Sequence, residues 1–167
     1  MPGRSRNARV VVMSQASQET HDVKPAGLGI PNERPASRIL LIDDDPFFLR
    51  ILQRFLSEER YESTACSNAC EALGLLHSGK FHLVICDLRM PGCDGLTLLH
   101  EIRNGGNIIP VVILTAYGEV DTYLEAMNAG ATEYLNKPIN SADLLAVVRE
   151  CLIRSNNRLT SKPSQSL

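Results

Sequence analysis

From Arg38 onward, short unbroken apolar runs alternate with stretches in which apolar residues return every three or four positions. The runs are "RILLID" (38–43), "YESTAC" (61–66), "FHLVICD" (81–87), "IIPVVILT" (108–115) and "TEYLN" (132–136). Runs of this length, rich in aliphatic and β-branched residues, predict strands, the strongest of them buried on both faces. Between and after them lie five predicted helices: "FFLRILQRFLSEE" (47–59), "SNACEALGLLHSG" (67–79), "LTLLHEIRN" (96–104), "EVDTYLEAMNAG" (119–130) and "NSADLLAVVRECLIR" (140–154). In the first helix Phe48, Ile51, Leu52 and Phe55 fall near helical spacing. Its start is marked by Asp45 as N-cap and Pro46 as the first helical residue. Ser67 or Asn68, and Asn140 with Asp143 three residues on, are the corresponding caps of the second and fifth helices. Asp94 is a candidate cap for the third helix, Gly79 and Gly130 are stop signals, and Gly95 is the best candidate for a left-handed backbone position.

Strict strand–helix alternation predicts an α/β fold, a doubly wound five-stranded parallel sheet with right-handed crossovers. In such sheets ligands gather outside the carboxyl ends of the strands. Asp43, Asp44 and Asp45 end the first run, Asp87 the third and Thr115 the fourth, and Lys137-Pro138 follows the fifth. Carboxylates packed together cannot all ionise unless a cation joins them. All-oxygen, acid-rich sites suit hard cations such as Mg²⁺. Asp43, Asp44 and Asp87 carry −3, which Lys137 and one divalent ion would cancel. Asp45 cannot point the same way as its neighbours, and is better accounted for as the helix cap.

Composition narrows the class. The chain has 167 residues, 44% hydrophobic and 22% charged, with a net charge of −2. Residues 1–36 hold five Lys/Arg against three Asp/Glu, residues 155–167 two against none, and the segment between ten against sixteen. An acidic middle between mildly basic ends gives no signal for direct nucleic-acid binding. Residues 1–36, with Pro2, Pro25, Pro31 and Pro35 and no sustained periodicity, are expected to be a disordered leader, with Met13 a second candidate start. The expected domain is 37–155, followed by a polar tail over 156–167 that is too short for a helix-turn-helix. No apolar run approaches the ~20 residues that span a bilayer, so no membrane contact is expected. Five cysteines in no CxxC pair point to free thiols and a cytoplasmic location. His21, His77, His82 and His100 receive no role.

Taken in order, "LIDDDP", "VICDLRMPGCDG", "VVILTAYG" and "YLNKP" resemble the receiver domain of two-component response regulators, over about residues 38 to 154. That resemblance implies a flavodoxin-like (βα)5 topology with strand order 2-1-3-4-5. It also implies roles by position. Asp87 is the phosphoacceptor. Asp43, Asp44 and Asp87, with the backbone carbonyl of Arg89, hold Mg²⁺, for which Mn²⁺ can substitute. Thr115 is the switch hydroxyl, Tyr134 the switch aromatic and Lys137 the phosphoryl-bridging lysine. Pro138 follows a cis bond, and Arg89 and Tyr117 tune the lifetime of the acyl phosphate. The implied partners are a sensor histidine kinase or histidine phosphotransfer protein and a downstream protein. The surface read out by partners, and a route to a homodimer, is helix four, strand five and helix five. Such a domain is not an enzyme beyond its own phosphoryl transfer and dephosphorylation. Two variants of this reading are a receiver within a longer DNA-binding regulator and a phosphorylation-independent pseudo-receiver. The latter would lack Asp87, Thr115 or Lys137, and all three are present. A haloacid-dehalogenase phosphatase would need its nucleophile in a DxD after the first strand. A flavodoxin would need a hydroxyl-rich phosphate loop where three aspartates stand.

Overall fold

The computed structural model describes residues 37–92, 94–116 and 120–160; the expected leader (1–36), Tyr117, Cys93 and residues 161–167 lie outside the described residues. Ten elements alternate: β1 (Arg38–Ile42), α1 (Pro46–Glu58), β2 (Glu62–Cys66), α2 (Ala69–Ser78), β3 (Leu83–Cys86), α3 (Gly95–Asn104), β4 (Val111–Thr115), α4 (Val120–Asn128), β5 (Glu133–Asn136) and α5 (Ser141–Thr160). The strands pair in parallel in the order β2-β1-β3-β4-β5. The chain runs outward from β1 to β2, then crosses to β3 on the other side. The point where the order reverses therefore lies between β1 and β3, whose carboxyl ends carry Asp43 and Asp87.

The period-2 geometry of a strand splits each apolar run between two cores. Leu40, Ile42, Val84, Cys86, Val111 and Ile113 pack with α2, α3 and residues of α4. Ile39, Leu41, Leu83, Ile85, Val112 and Leu114 pack with α1 and α5. This is why the runs show no polar alternation: both sheet faces are covered. The stripe that α1 buries is centred on Leu49, Leu52 and Leu56, with Phe48 and Phe55 half-buried at its edge. It is one position round from the stripe the spacing of the phenylalanines suggests.

Caps fix where the site-bearing loops begin. The Asp45 carboxylate accepts from the N–H groups of Phe47 and Phe48 at 2.8 and 3.2 Å, as a β-region N-cap ahead of Pro46. Asn68, rather than Ser67, caps α2. Asn140 and Asp143 exchange bonds at 2.7 and 2.9 Å at the start of α5. Gly130 ends α4 with φ +93°. The last helix and the β3–α3 loop depart from the sequence reading. α5 does not stop at Arg154 but continues to Thr160, so residues 156–160 of the expected tail are helical; nothing from Ser155 to Thr160 is a helix breaker. The left-handed glycine of the β3–α3 loop is Gly92, at φ +85°, not Gly95. Gly95 is required for a different reason: a Cβ there would lie 2.4 Å from the Asp87 carbonyl oxygen and 3.1 Å from Leu88 Cα.

Among the described residues Cys66, Cys70, Cys86 and Cys151 are free thiols, and burial pushes Cys66 and Cys151 up to about 11. No described helix is long and apolar enough to cross a membrane.

Candidate functional site

Asp43 and Asp87 are brought together by the ladder on either side of β1. The Asp87 N–H donates to the Ile42 carbonyl at 2.8 Å, and the Asp43 N–H to the Cys66 carbonyl at 3.2 Å. Both carboxylates are inside, with residue exposures of 7% and 3%. Burying two charges is unfavourable unless each finds partners. Here Lys137, reaching in from the residue after β5, supplies them. Its Nζ lies 2.6 Å from Asp43 Oδ2 and 2.9 Å from Asp87 Oδ1. The remaining carboxylate oxygens are held by backbone: Asp43 Oδ1 accepts from the Asp45 N–H at 2.9 Å, and Asp87 Oδ2 from the Arg89 N–H at 3.0 Å. The lysine is placed by the ladder as well, since its N–H donates to the Thr115 carbonyl at 2.7 Å. The Lys137-Pro138 peptide is cis.

The electrostatics follow from that arrangement. Burial pushes the Asp87 pKa up and Asp43 adds to it, and together they outweigh the lowering by Lys137 and the Arg89 N–H. Burial alone would lower Lys137, but the two carboxylates raise it above the ordinary lysine value. The pocket therefore holds an excess of negative charge pinned around one ammonium.

Asp44 sits differently. It is exposed and, with Arg89, Asp94, Thr122 and Glu125, lines an open cavity of about 630 Å³ between the β3–α3 loop and α4. The expected trio of Asp43, Asp44 and Asp87 is thus a buried pair bridged by lysine, with the third acid at the rim. Among the described residues no three His, Cys, Asp or Glu side chains stand arranged to hold a metal ion. The donor chemistry nevertheless fits a hard divalent cation. The site presents carboxylate oxygens, and three carboxylates against one ammonium leave −2. Mg²⁺ needs only one or two carboxylates because it keeps several waters.

Thr115 ends β4 and is fully buried. By strand parity it faces the same core as Ile113, and Tyr134 packs against that core from β5. The Tyr134 hydroxyl is 3.0 Å from Thr122 Oγ1 on α4, and its ring meets Tyr123 edge-on at 5.6 Å and 88°. Tyr134 is therefore anchored to α4. Next to it Val120, Tyr123 and Leu124 leave apolar surface exposed. Tyr117, expected to flank the site, is outside the described residues. Sequence reasoning missed Thr122 as the partner of Tyr134, because nothing in the chain's pattern pairs a helix threonine with a strand tyrosine. Nor does the helical spacing of Phe48 with Ile51, Leu52 and Phe55 reveal that its ring faces Lys137.

This chain belongs to the response regulator receiver domain family, whose model matches residues 39–149. It is 39% identical over 125 residues to the transcriptional regulatory protein ZraR of Klebsiella oxytoca, covering 75% of this chain and 28% of that protein. It is 36% identical over 125 residues to protein PetR of Rhodobacter capsulatus, covering 75% of this chain and 52% of that one. The chain thus spans between about a quarter and a half of these relatives. Among solved structures, a CheY-like response regulator receiver domain protein from Methanospirillum hungatei superposes with a TM-score of 0.71 at 29% identity, over 74% of this chain and 98% of that one. The flavodoxin-like receiver topology expected from the sequence is therefore the fold the chain has.

Proposed function

We propose that this receiver accepts a phosphoryl group on Asp87 from a phosphohistidine donor and converts the added charge into a change at the α4–β5–α5 surface. The observation that carries the reading is the Lys137 bridge, an ammonium in contact with both buried carboxylates at the switch point of the sheet. A carboxylate oxygen of Asp87 attacks phosphorus in line. The P–N bond to the donor imidazole breaks as the P–O bond forms, and the imidazole leaves as a neutral base once it takes up a proton. The ammonium of Lys137 faces the developing charge on the phosphoryl oxygens, so positioning and electrostatics carry the step. Asp43 and Asp44, with Asp87 and the Arg89 carbonyl, are the residues that would hold Mg²⁺, or Mn²⁺ in its place. When bound, the ion supplies further neutralisation of phosphoryl charge.

The acyl phosphate adds close to ~1.5–2 negative charges. Thr115, buried at the end of β4, is the hydroxyl placed to answer them. Its movement frees Tyr134 to leave Thr122 and turn inward, which changes the face made by Tyr123, Leu124 and α5. Arg89 and Tyr117 are assigned to shielding the acyl phosphate from water, and Tyr117→Ala is expected to speed its decay. The partners on this reading are a histidine kinase or phosphotransfer protein and a downstream protein in the cytoplasm; self-association through α4–β5–α5 is a further use of the same surface. A second reading has a specific support. The match covers only 28% of a protein named a transcriptional regulator, so the same switch can serve as the receiver part of a longer regulator.

Phosphotransfer from a labelled phosphohistidine protein tests the acceptor. The label should be released by hydroxylamine, as an acyl phosphate is, and should be absent from Asp87→Asn. Hydroxylamine-resistant label, or label on Asp87→Asn, would contradict the assignment.

A further inference from the structure

Phe48 stands in the first turn of α1, three residues after the Asp45 cap, and its N–H is one of the two that the cap holds. The same loop that aims Asp43 into the site therefore also fixes the base of this side chain. Its ring is half-buried, and its centroid lies 4.3 Å from Lys137 Nζ. An ammonium within ~6 Å of an aromatic face is attracted by the ring's negative quadrupole, more strongly where water is excluded. The Lys137 side chain is only 17% exposed. Its ammonium thus has three neighbours of negative character: Asp43, Asp87 and the face of Phe48.

We propose that Phe48 is a positioning residue for phosphoryl transfer, its ring forming the third wall of the seat that keeps the Lys137 ammonium between Asp43 and Asp87. The inference rests on the role given to Lys137 above. Its physical basis is that Asp87, one of the three walls, loses charge during the reaction, so the share of the hold that falls to Asp43 and the ring grows. As Asp87 attacks, the oxygen that bonds to phosphorus loses most of its negative charge. A long, freely rotating lysine held by carboxylates alone then has one grip weakened while the phosphoryl oxygens are arriving. An aromatic face keeps its attraction throughout. An aliphatic side chain of similar volume would fill the same corner of the α1–α5 core, so shape and quadrupole can be separated by experiment.

The test replaces Phe48, in the full chain, by 3,5-difluoro- and 3,4,5-trifluorophenylalanine, which keep the shape while draining the ring face of negative charge. Phe48→Tyr and Phe48→Leu are made beside them. Phosphorylation by acetyl phosphate at saturating Mg²⁺ is followed with the urea midpoint of each protein. The rate is expected to fall stepwise with fluorination, to about one fifth, the fold-change matching loss of one partly desolvated ammonium–ring contact. The urea midpoints should fall by no more than the loss of that one contact across the fluorine series. Phe48→Tyr should keep the parent rate, and Phe48→Leu should drop to the trifluoro level. The Lys137 ε-methylene protons should be shifted upfield by the ring in the parent and relax in Phe48→Leu. A flat rate across the fluorine series in a protein that still depends on Lys137 would overturn the role of Phe48 alone. Parent-like phosphorylation of Lys137→Met would remove the lysine's role and Phe48's with it.

Discussion

Replacing Lys137 by Met removes one charge and leaves most of the side-chain volume, so its effect measures how far a single ammonium governs the site. Asp43 Oδ2 and Asp87 Oδ1 touch the same nitrogen at 2.6 and 2.9 Å, so those oxygens are at most about 5.5 Å apart, the two contacts laid end to end. Two unit charges at about 5.5 Å repel by about 3 kcal/mol at an effective dielectric near 20. Both acids are at least nine-tenths buried, so water screens little of that. The expected loss is about 3 kcal/mol, at the low end for removing one partner from a buried ionic cluster. Its pH dependence has a definite sign. Burial already raises the Asp87 pKa, so the ionised form costs the fold stability above that pKa and the cost is relieved as pH falls through it. The Lys137 pKa is raised too, so its stabilising contribution is complete below the unfolded lysine value and fades only as pH rises through the folded one. The gap between parent and variant should therefore be widest from neutral to mildly alkaline pH and shrink on acidification. Urea unfolding across that range reads it directly. In an Asp43→Asn background the same substitution should cost far less, because one of the repelling charges is gone. An equal cost in both backgrounds, or a cost that does not change with pH, would refute the electrostatic argument.

Asp87→Asn is expected to raise the urea midpoint at neutral pH while abolishing phosphorylation, because the carboxylate is ionised there at a cost; the gain should vanish as pH falls below the parent's Asp87 pKa. Gly95→Ala should destabilise by about 1–3 kcal/mol and slow phosphorylation together, since its methyl group meets the Asp87 carbonyl and can be fitted only by moving the loop that carries Asp87. Thr122→Val removes the hydroxyl 3.0 Å from that of Tyr134, and should shift the Tyr134 ring resonances toward those of the phosphorylated form without phosphate. Arg103 donates to the Gly130 carbonyl through Nε and Nη2 and to the Asn107 carbonyl through Nη1, so Arg103→Met should cost about 1–3 kcal/mol in urea unfolding and leave phosphorylation unaltered.

What the chain disclosed in advance was what depends on local pattern. Unbroken runs such as "VVIL" predict strands with both faces covered, and Asp45-Pro46 predicts a helix start, as the structure has them. The sheet rule then puts Asp43, Asp87, Thr115 and Lys137 at one edge. What stayed hidden depends on orientation. Adjacent residues of one loop point to different sides, so Asp43 enters the core while Asp44 stays at the rim. No spacing rule distinguishes those two. Nor could composition say whether Gly92 or Gly95 carries the positive φ, since both are glycines in one tight loop with different demands, one on torsion and one on space. The Phe48–Lys137 contact joins residues 89 positions apart, and an aromatic at a helix edge looks like core until its face is seen.

The central claim is that Asp87 is the phosphoryl acceptor of a charge-balanced, cation-assisted site. Intact-mass measurement after incubation with acetyl phosphate and Mg²⁺ tests it most directly. The account predicts that the parent protein gains the mass of one phosphoryl group, loses that gain when Mg²⁺ is chelated beforehand, and shows none as Asp87→Asn. An unmodified parent, or an Asp87→Asn protein that still gains the phosphoryl mass, would contradict it.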